Sequence, residues 1–145
     1  LKIHRNKRSL DSNAYAWKLM DELAVKLRMS PEEVYRQYIP DIAGNSVIVP
    51  IREDVIGHWD KIWCSGHIGR LTEDLGECKR TKGYHNIRCY FGSSDYDSAQ
   101  MSRLISLIVE DCKAQGIQTE TPEEIARMED EYAQADESMQ HTQSS

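Results

Sequence analysis

Between positions 64 and 89 the chain carries residue types that hold zinc: Cys64, His67, Cys78, His85 and Cys89. Cys64-x2-His67 and His85-x3-Cys89 are locally spaced pairs, and thiolates with imidazoles in such pairs build tetrahedral structural sites. The spacing is irregular against the tight knuckles of those sites. Cys89 also alternates with Ile87 and Phe91, as a buried strand residue does, and free cysteine is among the most buried residue types. The set stands as a zinc candidate against a reading of reduced, packed thiols, and the expectation is no metal and no cofactor. With Cys112, the cysteines are expected to form no disulfide.

Other catalytic chemistry has less to work with. Ser93 and Ser94 lie in no Gly-x-Ser-x-Gly elbow, no Cys/His nucleophile signature is present, and no Gly-x-x-x-x-Gly-Lys run cradles a phosphate. A two-cation nuclease needs carboxylates converging from strands. Asp41, Glu53, Asp54, Asp60 and Asp95 fall mostly on expected helices or loops. Gly92 to Asp97 joins a strand to a helix N-terminus, where unpaired N–H groups suit an anion, but its own aspartates argue for an ordinary capped turn. The chain is therefore expected not to be an enzyme.

Cations interleaved with aromatic rings form the remaining constellation. Lys2, His4, Arg5, Lys7 and Arg8 make one cluster, and Lys79, Arg80, Lys82, His85 and Arg88 another, with Tyr84 and Tyr90 beside it. Cations neutralise phosphates while exposed rings stack on splayed bases, the pattern of single-strand binders. Arg5, Lys7, Arg8, Lys79, Arg80, Lys82, Tyr84 and Arg88 are the expected nucleic-acid contacts. The competing reading is a solvated hairpin and a loose arm.

The elements that would position these residues follow from periodicity. A helix is predicted from Ser9 or Asp11 to about Arg28, with Ala14, Trp17, Met20, Ala24 and Leu27 as its apolar stripe. Ser30-Pro31-Glu32-Glu33 reads as a capping box with proline in the first turn, opening a short helix with Val34, Tyr35 and Tyr38 inward. Val47-Ile48-Val49 is either an edge strand or a buried loop, and Arg52 to Trp63 reads as a third helix. Between Gly66 and Gly92 the period shortens, and strands are predicted near His67–Leu71, Leu75–Arg80 and Tyr84–Phe91. In the last, Ile87, Cys89 and Phe91 face one way, Arg88 and Tyr90 the other. Asp97-Ser98-Ala99-Gln100 is a second capping box, opening a helix with Met101, Leu104, Ile105, Ile108 and Cys112 inward and Gly116 as its stop. Thr121-Pro122-Glu123-Glu124 opens one more.

This order implies an α+β class, with helices packed on a small antiparallel sheet. The chain of 145 residues suits a single domain over 1–131 followed by a polar acidic tail, 132–145, expected to be disordered. Its net charge of −6 is unevenly spread: from Gln118 onward eight acidic residues face Arg127 alone, so residues 1–117 are close to neutral. No apolar run approaches the ~18 residues needed to span a bilayer, and the basic N-terminal residues are not followed by a signal-peptide core. A cytoplasmic location in a bacterial cell is expected.

The run Lys7-Arg8-Ser9-Leu10-Asp11-Ser12-Asn13-Ala14-Tyr15-Ala16-Trp17 resembles the opening of the NinB (Orf) recombination proteins of lambdoid phages, an Arg-Ser-Leu-Asp-x-Asn motif leading into a tryptophan-bearing helix. A second stretch, Tyr90-Phe91-Gly92-Ser93-Ser94 through Asp111-Cys112-Lys113 to Thr121-Pro122, is similar to small prophage proteins of low-GC Gram-positive bacteria. The first resemblance implies a homodimeric, non-catalytic accessory protein of phage recombination or replication. Such a protein binds single-stranded DNA and the host single-strand-binding protein. Arg8, Asp11, Asn13 and Trp17 are the matching positions, and Arg8 alone is carried over as a DNA contact. The alternatives are a phage-encoded inhibitor of a host defence nuclease, for which the acidic tail is the motive, and a metal-dependent nuclease.

Overall fold

A computed structural model describes the backbone of residues 11–65 and 69–144, and side chains as far as residue 135. Arg5, Lys7, Arg8 and His67 lie outside the described residues. The fold is α+β, with five α-helices and a three-stranded antiparallel sheet among the described residues. The chain divides into two compact units, one formed by Leu1–Ile42 with Asp97–Ser145 and the other by Ala43–Tyr96.

The first unit is helical. Helix α1 (Ser12–Leu27) starts at Asp11, whose carboxylate accepts the Ala14 N–H at 2.8 Å. Its buried face is Tyr15, Ala16, Leu19, Met20, Leu23 and Ala24. The predicted stripe was rotated: Ala14 is exposed, Leu27 is 39% exposed, and only Met20 and Ala24 belong to both sets. The reason is Tyr15, which is buried because its hydroxyl finds a partner, accepting the Glu120 N–H at 2.8 Å. Helix α2 (Pro31–Tyr38) has the capping box expected of Ser30 and Glu33, and buries Val34, Tyr35 and Tyr38. Trp17 and Tyr35 pack ring on ring at 5.0 Å.

Helix α4 (Ser98–Ala114; helix α3, Ile56–Cys64, belongs to the other unit) matches its prediction most closely. Asp97 and Gln100 complete the reciprocal cap, and Met101, Leu104, Ile105, Ile108 and Cys112 are the buried set. Gly116 follows with φ +74°, the left-handed conformation that ends helices without a Cβ penalty. Tyr38 Oη donates to Asp111 at 2.7 Å and ties α2 to α4; burial first, then that bond, raises the tyrosine's pKa. Helix α5 (Pro122–Ser144) is capped by Thr121 and anchored by Met128, whose carbonyl accepts the buried Ser12 hydroxyl. It runs across the boundary near 132 where a tail was expected. Within its described part, Arg127 bridges Glu124 and Glu131 at 2.9 and 3.0 Å and Gln134 donates to Asp130, side-chain pairs one turn apart that favour helix in a polar sequence.

The second unit holds strands β1 (Ser46–Arg52), β2 (Leu71–Glu77) and β3 (Tyr84–Tyr90) in the order β1-β3-β2, all antiparallel, with helix α3 (Ile56–Cys64) packed against the sheet. Of the two readings of Val47-Ile48-Val49 the edge strand holds, as part of a seven-residue strand paired directly with β3, while two other predictions change. Of the predicted strands His67–Leu71, whose first two residues lie outside the described ones, and Leu75–Arg80, one strand results, because Thr72, Glu73 and Asp74, expected between them, pair with β3, and Gly76 (φ +103°) sits in a register shift inside it. The third helix begins at Ile56, after a 3₁₀ turn at Glu53–Val55, and Arg52 belongs to β1.

Ile108 is wholly buried in α4, so Ile108→Ala should cost about 2–5 kcal/mol of unfolding free energy through lost burial and a residual cavity. Asp97→Ala should cost about 1 kcal/mol through the lost cap. Urea titration followed by helical circular dichroism checks both. Equal, near-zero effects would contradict the packing of α4.

Candidate nucleic-acid interface

The expected contact residues of the hairpin depend on which face of β3 is open, and the register decides that. Ile87 and Cys89 are buried, and α3 bonds to this strand: Trp59 Nε1 donates to Cys89 Sγ at 3.3 Å and Trp63 Nε1 to the Tyr90 carbonyl at 3.0 Å. Thr72 lies opposite Cys89 and its hydroxyl donates to Asp60 of α3, which also accepts from Cys64 Sγ at 3.6 Å. The other face of β3 carries Tyr84, Asn86, Arg88 and Tyr90, all half-exposed. Directly opposite residues of antiparallel strands share a face. Ser46, Ile48, Pro50 and Arg52 of β1 therefore stand beside them, with Leu71 and Glu73 of β2 on the far side. Ile48, Pro50, Arg52 and Glu73 are exposed.

Pro50 fits this edge for a backbone reason. The Phe91 N–H donates to the Asn45 carbonyl and the Glu53 N–H to the Gly83 carbonyl, both in line with the β1–β3 register. Odd-numbered residues of β1 thus exchange bonds with β3, and even-numbered ones point their backbone groups outward. Proline at position 50 removes an N–H that would have faced the edge, which costs the ladder nothing and blunts pairing with another strand.

Tyr84 and Arg88 are brought onto one face with Asn86 and Tyr90, while Lys79, Arg80 and Lys82 project from the exposed turn between β2 and β3. That turn is held by the Cys78 N–H donating to Tyr84 O at 2.7 Å, with Gly83 at φ +85°. The three cations have no carboxylate partner among the described residues. Arg88, by contrast, is shared between Ser46 Oγ at 3.3 Å and Glu73 at 3.7 Å, and Tyr90 Oη donates to Glu73 at 3.0 Å. Burial, then Glu73, raises the Tyr90 pKa, so the ring stays a neutral donor. Arg52 is engaged with Asp54 at 2.8 Å. Sequence reasoning missed Arg52, Asn86 and Glu73 because their place beside Arg88 depends on strand pairings that no local pattern encodes.

The zinc candidates have other attachments. Cys89 is buried under Trp59, Cys64 donates to Asp60, and both nitrogens of His85 face carboxylates. No cluster suited to a metal ion occurs among the described residues. The cysteines of this set and Cys112 are free. On the acidic side, Glu124 and Glu131 of α5 are occupied by Arg127, and burial raises the pKa of Glu129. In the helical unit an open groove of about 300 Å³ is lined by Lys18, Glu22 and Gln118 to Thr121, with its lysine offset by carboxylates. No described helix is long and apolar enough to cross a membrane.

Of the residues shared with the NinB motif, Asp11 caps α1 and Trp17 packs on Tyr35. No protein-family profile, curated protein or solved structure matches the chain.

The thiols should differ sharply in reactivity. The backbone N–H groups of Arg80 and Thr81 aimed at Cys78 lower its pKa, whereas burial pushes Cys112 up to about 11 and Cys89 is fully buried. Iodoacetamide at neutral pH, read by peptide mass spectrometry, should label Cys78 ahead of Cys89 and Cys112. Equal labelling in the native protein would contradict the turn geometry.

Proposed function

We propose that the chain is a non-catalytic binder of single-stranded DNA, using the open face of the three-stranded sheet and the basic turn at its end. The observation that carries this reading is the single-face row Tyr84, Asn86, Arg88 and Tyr90 on the central strand, leading into Lys79, Arg80 and Lys82. Residues two apart on a strand are spaced by about 6.6–6.8 Å. Tyr84 and Tyr90, six residues and so about 20 Å apart, each offer a ring to a base splayed from a single strand, whereas stacked duplex bases are not available to them. Asn86 offers amide donors and an acceptor to a base edge, and the turn cations attract the phosphates.

Glu73 limits the face. By holding Arg88 and Tyr90 it competes with phosphate for the guanidinium, so the free positive charge of the interface lies in the turn. This favours stacking on the sheet and phosphate contact at the turn.

The biological setting follows the resemblance of residues 7–17 to the NinB proteins: an accessory protein of phage recombination or replication, working in the cytoplasm of a bacterial host. A second copy of the chain and the host single-strand-binding protein are its partners in this reading. Arg5, Lys7 and Arg8 would add phosphate contacts.

Fluorescence anisotropy with a labelled single-stranded oligonucleotide, repeated over a salt series, tests the proposal. Reversing Lys79, Arg80 and Lys82 to glutamate should weaken binding and flatten the salt dependence by about 0.7 per lost phosphate contact. Tyr84→Ala or Tyr90→Ala should cost about 1–3 kcal/mol per unstacked base with the salt slope retained. Glu73→Gln should tighten binding. Wild-type protein with no affinity for single strands would refute the proposal.

A further inference from the structure

Behind the basic turn, on the face of β3 that carries Ile87 and Cys89, His85 stands between two carboxylates. Its Nδ1 lies 2.9 Å from Asp74 Oδ2 and 3.0 Å from Asp74 Oδ1, and its Nε2 lies 3.3 Å from Glu53 Oε2. The Asp74 carboxylate and the Glu53 main chain are each held by a hydrogen bond. Asp74 Oδ1 accepts the Gly76 N–H at 2.8 Å within the irregular part of β2, and the Glu53 N–H, just past β1, donates to Gly83 O at 3.0 Å. A neutral imidazole has one N–H and one lone pair, so it can donate to only one of these carboxylates while its lone pair faces the other. Only the imidazolium donates to both.

We propose that Glu53, His85 and Asp74 form a protonation-dependent clasp that joins the three strands at the end of the sheet bearing the basic turn. The other groups facing His85 do not compete for its role. Glu77 is its register partner on β2 and adds further negative charge, Ile51 is its partner on β1 and is apolar, and Ile87 is the next residue on that face of β3. Arg52, beside Glu53, is occupied by Asp54. Lys79, Arg80 and Lys82 project from the turn that begins after Glu77 and form no ion pair with the clasp carboxylates among the described residues.

The Asp74 hydrogen bond first, and Glu53 after it, raise the pKa of His85; the Gly76 N–H first, and His85 after it, lower that of Asp74. A raised folded-state value means that the histidine's contribution is complete below its ordinary value of about 6.5 and is lost as pH rises through the raised one. A lowered value for Asp74 means that its contribution is present above about 3.9 and is lost as pH falls through the depressed one. The clasp therefore holds from the carboxylate range up to the raised histidine value and opens on the alkaline side.

Two measurements on the full chain test this. NMR titration should assign His85 a pKa above about 6.5, and Glu53→Gln, which keeps the ring and the fold, should bring it down. Denaturation midpoints followed from about pH 5 to about pH 9 should show wild type ahead of His85→Gln at the acid end, with the gap closing as His85 loses its proton. A His85 pKa at or below the ordinary value, insensitivity of that pKa to Glu53→Gln, or parallel stability curves would each overturn the clasp. None of these outcomes depends on nucleic-acid binding.

Discussion

Strand β3 is hydrogen-bonded along both edges, and most of what the second unit presents depends on that constraint. A central strand with one face buried cannot slip, because a shift by one residue would turn Ile87 and Cys89 out of the core and bring Arg88 and Tyr90 in. Both neighbours inherit their register from it: Val49 opposite Ile87 on one side and Glu73 opposite Arg88 on the other. The face that carries Tyr84, Asn86, Arg88 and Tyr90 is therefore a by-product of burying its opposite. The same alternation puts His85 on the covered side, within reach of acids from the chain on both flanks.

The helical unit is held by a different economy. Its apolar core is conventional, but three hydrogen bonds between distant residues tie the helices together: Tyr38 to Asp111, Glu120 to Tyr15 and Ser12 to Met128. Each gives a buried or half-buried polar group the partner it needs, since an unpaired one would cost about 1–3 kcal/mol. They also explain why tyrosines serve as core residues here, their rings packed and their hydroxyls satisfied.

Charge on this protein is mostly local. Arg127 is bridged to two glutamates one turn away, Arg52 to Asp54, and Arg88 to Glu73 across the sheet. Exposed pairs of this kind contribute roughly 0–1 kcal/mol each to stability. Their larger consequence is to neutralise those arginines, leaving Lys79, Arg80 and Lys82 as the concentrated positive charge of the described sheet unit. The acidic C-terminal segment is likewise less uniform than its composition suggests, because its helix pairs some carboxylates and half-buries another.

Where stereochemistry is local, the sequence alone was sufficient. The capping boxes at Ser30 and Asp97, the inward set of α4, the stop at Gly116 and the alternation of Ile87, Cys89, Arg88 and Tyr90 all follow from interactions spanning at most a few turns, and all are present. Tertiary structure decided what local rules leave degenerate. A helix with apolar residues on most sides has more than one possible stripe, and Tyr15 settled α1 through a hydroxyl partner more than a hundred residues away. Val47-Ile48-Val49 became a strand because β3 had an edge to offer, and Gly76 became a bulge because β2 continued to pair beyond it. The meeting of Glu73 with Arg88, and of Glu53 and Asp74 with His85, arose from cross-strand register, a property of paired chains that no single segment contains.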